Sequence, residues 1–235
     1  MADYKPDILL LPGLMCDDSL WDFMLHDLSQ IGNLYFGSLT VGQTITEIAS
    51  HILKCAPKKS FLISFSLGGY VAREIMMLEP SRVSYLALLN TSARGTEREE
   101  KERNQINIGI IKRFKYRGLS LSSVKRALHP KHQNDKKITQ HIQNMAMRLG
   151  QEVFLRQISL TRKDGLNQLK NIGCPTLVVT SDKDNLRSKV ESKELAQGIP
   201  DADMVSIKNC GHMTPLEQPK ELARELKEWF CTVKG

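Results

Sequence analysis

Ser60-Phe61-Leu62-Ile63-Ser64-Phe65-Ser66-Leu67-Gly68-Gly69-Tyr70-Val71-Ala72-Arg73-Glu74-Ile75-Met76-Met77-Leu78-Glu79 is the stretch that decides the fold. An apolar run enters a turn of small residues, and the chain leaves it as a helix with Val71, Ile75 and Leu78 on one face. Strand, sharp turn and helix with a serine at the tip make the arrangement of a nucleophile elbow. The tip residue is held in a strained backbone conformation, so the residues two away on each side must be small. Gly68 meets that need fully and Ser64 approximately, since it adds a hydroxyl where the elbow is crowded. Ser66 is therefore a candidate nucleophile, set against the plainer reading of a serine that caps a helix.

Outward from the elbow, short apolar strands alternate with helix-periodic segments. Asp7 to Leu11 reads as a strand ending at Pro12-Gly13, and Asp17-Asp18-Ser19 as a cap for a helical stripe of Leu20, Trp21, Met24, Leu25 and Leu28. Asn33 to Leu39 is a weaker strand and Thr44 to Cys55 a helix that stops before Pro57. Downstream, Val83 to Leu89 is a strand closing at Asn90-Thr91-Ser92. Thr176 to Thr180 is a β-branched strand, Ser188 to Gln197 a helix and Met204 to Ile207 a strand. Pro215 opens a final helix ending near Trp229-Phe230. Strands that look buried on both faces and alternate with helices predict an α/β fold with a mostly parallel sheet of about six strands.

From Arg94 to about residue 170 the chain is polar, basic and helical, with breaks expected at Gly109, Gly118, His129-Pro130 and Gly150. This block predicts a helical cap over one edge of the sheet. The organisation expected is one domain with an insertion: core from 1–93 and 171–235, cap from 94–170. The formal net charge is +7 over 235 residues. Arg94 to Asp164 holds 17 Lys/Arg and 7 Asp/Glu, so the excess lies wholly in the insertion. That charge could steer anionic substrates, but a solvated helical face explains it more simply. No nucleic-acid motif accompanies it. The first apolar run, Ile8 to Leu11, is too short for a signal peptide or membrane span. Five scattered cysteines with no C-x-x-C pair fit reduced thiols in a cytoplasmic protein.

A serine hydroxyl needs an adjacent base, usually an imidazole oriented by a carboxylate. Loops at the carboxyl ends of parallel strands are where such partners collect. Ser66 follows the third strand, Asp184 the fifth and His212 the sixth. Asp182 shares the turn with Asp184, and one of the two is expected to act as a helix cap. The other five histidines (His26, His51, His129, His132, His141) read as surface or packing residues. Cys16 reads as a small core residue and Trp21 as a packing anchor. No ligand spacing implies a metal or organic cofactor.

The order Ser, Asp, His and three further segments resemble the α/β-hydrolase superfamily along nearly the whole chain. Pro175-Thr176-Leu177-Val178-Val179-Thr180-Ser181-Asp182-Lys183-Asp184 resembles its strand-then-acid segment. Asn209-Cys210-Gly211-His212-Met213-Thr214-Pro215-Leu216-Glu217-Gln218-Pro219 resembles its base loop and last helix. Leu9-Leu10-Leu11-Pro12-Gly13-Leu14-Met15-Cys16-Asp17, with Trp21, resembles an oxyanion segment in which Leu-Pro-Gly replaces His-Gly. Small carboxylesterases of the pimeloyl-ester type and 3-oxoadipate enol-lactonases are the most similar families. The resemblance implies Ser66 as nucleophile, His212 as general base and acid, and Asp184 as the orienting carboxylate. Ser181 supports Asp184 over Asp182, because the family's small residue precedes its acid by three. The implied oxyanion donors are the backbone N–H groups of Leu14 and Leu67.

The protein expected from these residues is a carboxylesterase-like serine hydrolase. It would cleave a small-molecule ester, thioester or lactone through an acyl-enzyme, with no nucleic-acid or membrane-spanning partner. An acyltransferase or C–C bond hydrolase with the same triad, and a non-catalytic ligand-binding protein of the same fold, are the alternatives. The departures from the family pattern are Ser64 for glycine, Leu11 for histidine, and a first apolar strand that begins only near residue 7.

Overall fold

The computed structural model describes residues 5–114 and 116–234. Six strands, β1 (Asp7–Leu11), β2 (Asn33–Phe36), β3 (Ser60–Phe65), β4 (Val83–Leu89), β5 (Thr176–Ser181) and β6 (Ala202–Ile207), form one sheet in the order β2-β1-β3-β4-β5-β6. Every adjacent pair is parallel. Side chains alternate across the sheet as a period of two requires. Ile8, Leu10, Phe61 and Ile63 enter one core with α1 (Leu25–Ile31) and the final helix, α9 (Pro219–Lys234). Leu9, Leu11, Leu62 and Leu88 enter the other with α2 (Ile45–Cys55), α3 (Leu67–Leu78) and α7 (Lys189–Gly198). β3, central and covered on both faces, has all six residues buried, which explains why its sequence is a continuous run.

The strand order changes direction between β1 and β3. The chain moves outward from β1 to β2, then returns to the other side of β1 and proceeds through β3 to β6. A crevice at the carboxyl ends of the strands at such a reversal is the usual ligand site of an open α/β sheet. Leu14 follows β1 there and Ser66 follows β3.

Several local expectations are corrected. The stripe from Leu20 to Leu28 is not one helix but a 3-10 turn, Asp18–Trp21, followed by α1. The 3-10-type bonds Asp22 N–H to Ser19 O and Met24 N–H to Trp21 O let Leu20, Trp21 and Met24 all point into the core. β2 ends at Phe36 rather than Leu39. Gly37 turns the chain so closely over the sheet that a Cβ would meet Leu11 Cδ2 at 2.4 Å. The last helix is split into α8 (Thr214–Glu217) and α9, because Pro219 cannot continue the ladder and restricts the residue before it.

Between β4 and β5 lie α4 (Arg98–Arg113), α5 (Leu121–Ala127) and α6 (Lys136–Ser159). Gly109 does not break α4: it lies on an open part of the helix with nothing near the place a Cβ would take, and the flanking residues carry the helix through. His129-Pro130 does end a helix, and Gly150 kinks α6 with φ 77°. β4 and β5 are interior strands, so the segment between them rises from mid-sheet and crosses the carboxyl-end loops. There His141 Nε2 meets Ser19 O at 2.8 Å, and Arg148 makes an ion pair to Asp17 at 2.8 Å.

Candidate active site

Ser66 hands the chain from β3 to α3 in a single residue, and its backbone takes φ 51°, ψ −111°. A non-glycine residue held there costs about 1–3 kcal/mol and persists only where its surroundings fix it. Here its N–H donates to Leu89 O (2.9 Å), and its carbonyl accepts from the Gly69 N–H (3.0 Å) and the Thr91 hydroxyl (2.7 Å). Gly68 passes so close to the loop after β1 that a Cβ would stand 2.5 Å from Pro12 O and 2.8 Å from Leu11 O. Ser64 is fully buried and donates its hydroxyl to Ala87 O at 3.0 Å, so the group that replaces glycine is satisfied within the sheet.

His212 Nε2 lies 2.9 Å from Ser66 Oγ, and His212 Nδ1 lies 2.8 Å from Asp184 Oδ2. The His212 and Asp184 side chains are only 5% and 1% exposed. Asp184 is surrounded by donors: Asn90 Nδ2 also reaches Oδ2 (3.0 Å), while the N–H groups of Leu186 and Arg187 reach Oδ1 (2.8 and 2.9 Å). Burial pushes the Asp184 carboxyl up, but the neighbouring imidazole and these hydrogen bonds outweigh it and hold it below the ordinary carboxylate value. Asp182 makes no bond to the imidazole and accepts instead from the Cys210 N–H at 3.0 Å, tying the two loops together.

Three residues without a role in the sequence reading hold this row in place. Asn90, at φ 47°, joins Asp184, Ser181 and Thr214 in a buried network with separations of 2.6 to 3.0 Å. Its place at the carboxyl end of β4 was the available signal. Glu217 accepts from the N–H groups of Gly211 (3.0 Å) and Met213 (3.1 Å) with one oxygen and of His129 (2.7 Å) with the other. The His212 N–H also donates to Ala127 O at 2.7 Å, so the imidazole loop is fastened to the end of α5. Burial pushes Glu217 up to about 7 against the pull of its three backbone donors.

Gln157 of α6 is the third. Its Oε1 accepts the Met15 N–H at 2.8 Å and its Nε2 donates to Leu39 O at 3.2 Å, with the side chain almost wholly buried. Met15 is at φ 55°, a second strained position, next to Leu14. Nothing in the sequence pattern separates Gln157 from the other polar residues of its helix. Leu14 and Leu67 line the cavity with Ser66 and His212. Leu67 opens α3, where the first N–H groups have no helical partner.

The cavity has a volume of about 470 Å³. Its wall combines the apolar side chains Phe65, Leu119, Val124 and Ile142 with the basic Arg94, Arg162 and Arg187, the last two beside the Tyr70 ring. Cys16 also borders it, but burial pushes its thiol up to about 12, so it is protonated at neutral pH. Trp21 is fully buried in the core beside the loop after β1, as a packing anchor would be. Among the described residues no group of three His, Cys, Asp or Glu side chains is placed to hold a metal ion. An imidazole bridging a hydroxyl and a buried carboxylate at these separations can take the hydroxyl proton and return it to a leaving group.

Residues 8–225 match the model of the alpha/beta hydrolase family, and the chain belongs to that family. Among curated proteins it is 35% identical over 98 residues to a pimeloyl-[acyl-carrier protein] methyl ester esterase of Vibrio parahaemolyticus, a match covering 37% of each chain. The chain thus matches little more than a third of that relative's length. Two solved structures show the same fold. An esterase from Thermogutta terrifontis has a TM-score of 0.85 at 23% identity over 97% of this chain and 90% of that one. The enol-lactonase from Burkholderia xenovorans LB400 has a TM-score of 0.84 at 19% identity over 97% and 92%.

Proposed function

We propose that this chain is a serine hydrolase of small-molecule carboxylic esters, thioesters or lactones. The observation that carries the reading is the unbroken row Ser66–His212–Asp184, at 2.9 and 2.8 Å, opening into a cavity at the strand-order reversal. Ser66 Oγ attacks the substrate carbonyl while His212 Nε2 takes its proton, and Asp184 stabilises the imidazolium that results. The oxyanion of the tetrahedral intermediate is received by the N–H groups of Leu14 and Leu67. Collapse breaks the bond to the leaving alcohol or thiol, which takes the proton from His212, and water then releases the acid by the same steps in reverse. Residues 94–170 serve as the lid, since they supply Leu119, Val124 and Ile142 to the cavity wall and fasten both the Met15 and the His212 loops.

The names of the related proteins, a methyl ester esterase, an esterase and an enol-lactonase, support the same class of acyl chemistry. A fluorophosphonate probe tests the reading: wild type is expected to be labelled covalently, Ser66→Ala not at all, and His212→Ala only slowly. Labelling of Ser66→Ala at the wild-type rate, or no labelling of folded wild type, would overturn it.

A further inference from the structure

Tyr70 lies one helical turn after Ser66 and lines the cavity. Three guanidinium groups crowd its ring: Arg73 and Arg162 with Cζ 5.1 Å from the centroid, and Arg187 at 5.9 Å. The Nε of each is buried with no hydrogen-bond partner among the described residues. Of the three, Arg162 and Arg187 reach the cavity.

The two differ in what already engages them. Arg162, 9% exposed, donates to Glu100. Arg187 donates no side-chain hydrogen bond to any described residue. It makes one long ion pair, Nη1 to Glu191 Oε1 at 3.6 Å, while the other oxygen of that carboxylate accepts from the Ser188 N–H (2.7 Å) and hydroxyl (3.0 Å). Apart from that long ion pair, its terminal N–H groups are left without a hydrogen-bond acceptor at the cavity wall. They sit three residues beyond Asp184, on a backbone fixed by the bond from the Arg187 N–H to that carboxylate. A guanidinium partly withdrawn from water and left without acceptors is an incomplete site, because its N–H groups lose hydration with nothing in exchange.

The surrounding charge sets the sign of what would complete it. Arg94 is held by both oxygens of Glu194. Arg103 and Arg126 at the mouth have no ion-pair partner among the described residues, and the exposed Glu97 borders the same opening. The five arginines of the wall face three glutamates of the wall, and Glu194 behind Arg94 makes four. The arginines outnumber the glutamates, which suits an anion.

We propose that Arg187, with Arg162 and Tyr70, forms a carboxylate subsite, so that the substrate hydrolysed at Ser66 is an ester, thioester or lactone bearing a free carboxylate. The planar fork of a guanidinium matches the two oxygens of a carboxylate. Ser66 and Tyr70 stand one helical turn apart, about 6 Å along the axis, and line the same cavity as Arg187, so a short acyl chain suits the substrate. The apolar side chains Leu119, Val124 and Ile142 of the same wall pack against the uncharged part of the molecule. This assignment rests on the hydrolase reading and deepens it.

The experiment compares the mono-p-nitrophenyl ester of glutaric acid with p-nitrophenyl butyrate, which lacks the charge, in wild type, Arg187→Gln and Arg187→Lys. Wild type is expected to favour the anionic ester by about 10- to 100-fold in kcat/KM, the range of one charge-assisted hydrogen-bonded contact. In Arg187→Gln that ratio falls to about one, chiefly through KM, and Arg187→Lys recovers part of it. Rising salt lowers the wild-type ratio. A wild-type ratio of one or below, or an unchanged ratio in Arg187→Gln, overturns the subsite. If Ser66-dependent turnover of both esters is missing, the hydrolase reading itself fails. The subsite is then judged alone by whether glutarate, and not glutaramide, raises the Tm of wild type and fails to raise that of Arg187→Gln.

Discussion

Replacing Gln157 with leucine tests whether a helix of the insertion holds the loop after β1, which carries the proposed oxyanion donor Leu14. The substitution keeps much of the buried volume and removes both hydrogen bonds, to Met15 N–H at 2.8 Å and to Leu39 O at 3.2 Å. Each buried backbone group left without a partner costs roughly 1–3 kcal/mol. The unfolding free energy is thus expected to fall by about 2–6 kcal/mol, or by roughly 0.7–3 M in urea midpoint for an m of about 2–3 kcal/mol/M. The effect on rate is separate. Complete loss of one oxyanion donor costs roughly 100- to 1000-fold. Met15, freed from a left-handed conformation it holds only under constraint, would loosen Leu14 rather than delete its N–H. A fall in kcat of about 10- to 100-fold is therefore expected, with KM within about threefold, because the contact matters most when the oxyanion forms. Gln157→Glu retains an acceptor for Met15 but sets a carboxylate against Leu39 O, and should fall between the two. The assay is steady-state hydrolysis of p-nitrophenyl butyrate alongside urea unfolding of each variant. A kcat for Gln157→Leu within about twofold of wild type, or a loss that tracks only the folded fraction, would refute the reasoning.

Gly68→Ala should lose most activity and about 2 kcal/mol or more of stability, since its Cβ would meet backbone oxygens of Pro12 and Leu11 that cannot rotate away; wild-type turnover with an unchanged Tm would contradict the close approach. Ser64→Gly should retain activity at a cost of about 1 kcal/mol for the hydroxyl bond to Ala87 O, while Ser64→Leu overpacks a fully buried strand position and should not fold or turn over. Glu217, raised from its unfolded value to about 7, stays protonated in the folded protein between pH 4.5 and 7 while the unfolded chain releases the proton. Its stabilising contribution is therefore full below about pH 4.5 and is lost as pH rises through 7, by about 3 kcal/mol in all. Urea unfolding should show that decline in wild type and a flatter profile in Glu217→Gln; parallel profiles would sink the assignment.

The sheet was legible because β1, β3, β4 and β5 are interior strands, and double-sided burial writes itself as unbroken runs such as Phe61-Leu62-Ile63. Edge strands are fainter: β2 has no fully buried residue, and its end at Gly37 is set by the approach of Leu11, a tertiary contact. Ser66, Asp184 and His212 could be found because each lies just past the carboxyl end of a recognisable strand, where topology gathers loops. Asp182 and Asp184 sit two residues apart in one turn, and only the loop's course decides which faces the imidazole. Asn90, Glu217 and Gln157 act across separations of 94, 88 and 142 residues. Their side chains are ordinary polar residues until the fold supplies a partner. Gly109 is the opposite case, a breaker by type that stays helical because the residues around it favour the helix enough to absorb its cost of about 1 kcal/mol.

The insertion's origin between two interior strands also bears on how the chain folds. β4 and β5 must pair across residues 90–175, and that pairing closes the largest loop in the sheet. The entropy of closing a flexible loop grows only with the logarithm of its length, about 0.6 kcal/mol for each doubling. The central pairing is thus slow to find but nearly indifferent to how many residues lie between. A lineage could lengthen, shorten or exchange the helices above Ser66 at little expense to the sheet, provided the replacement again reached Met15 and the His212 loop.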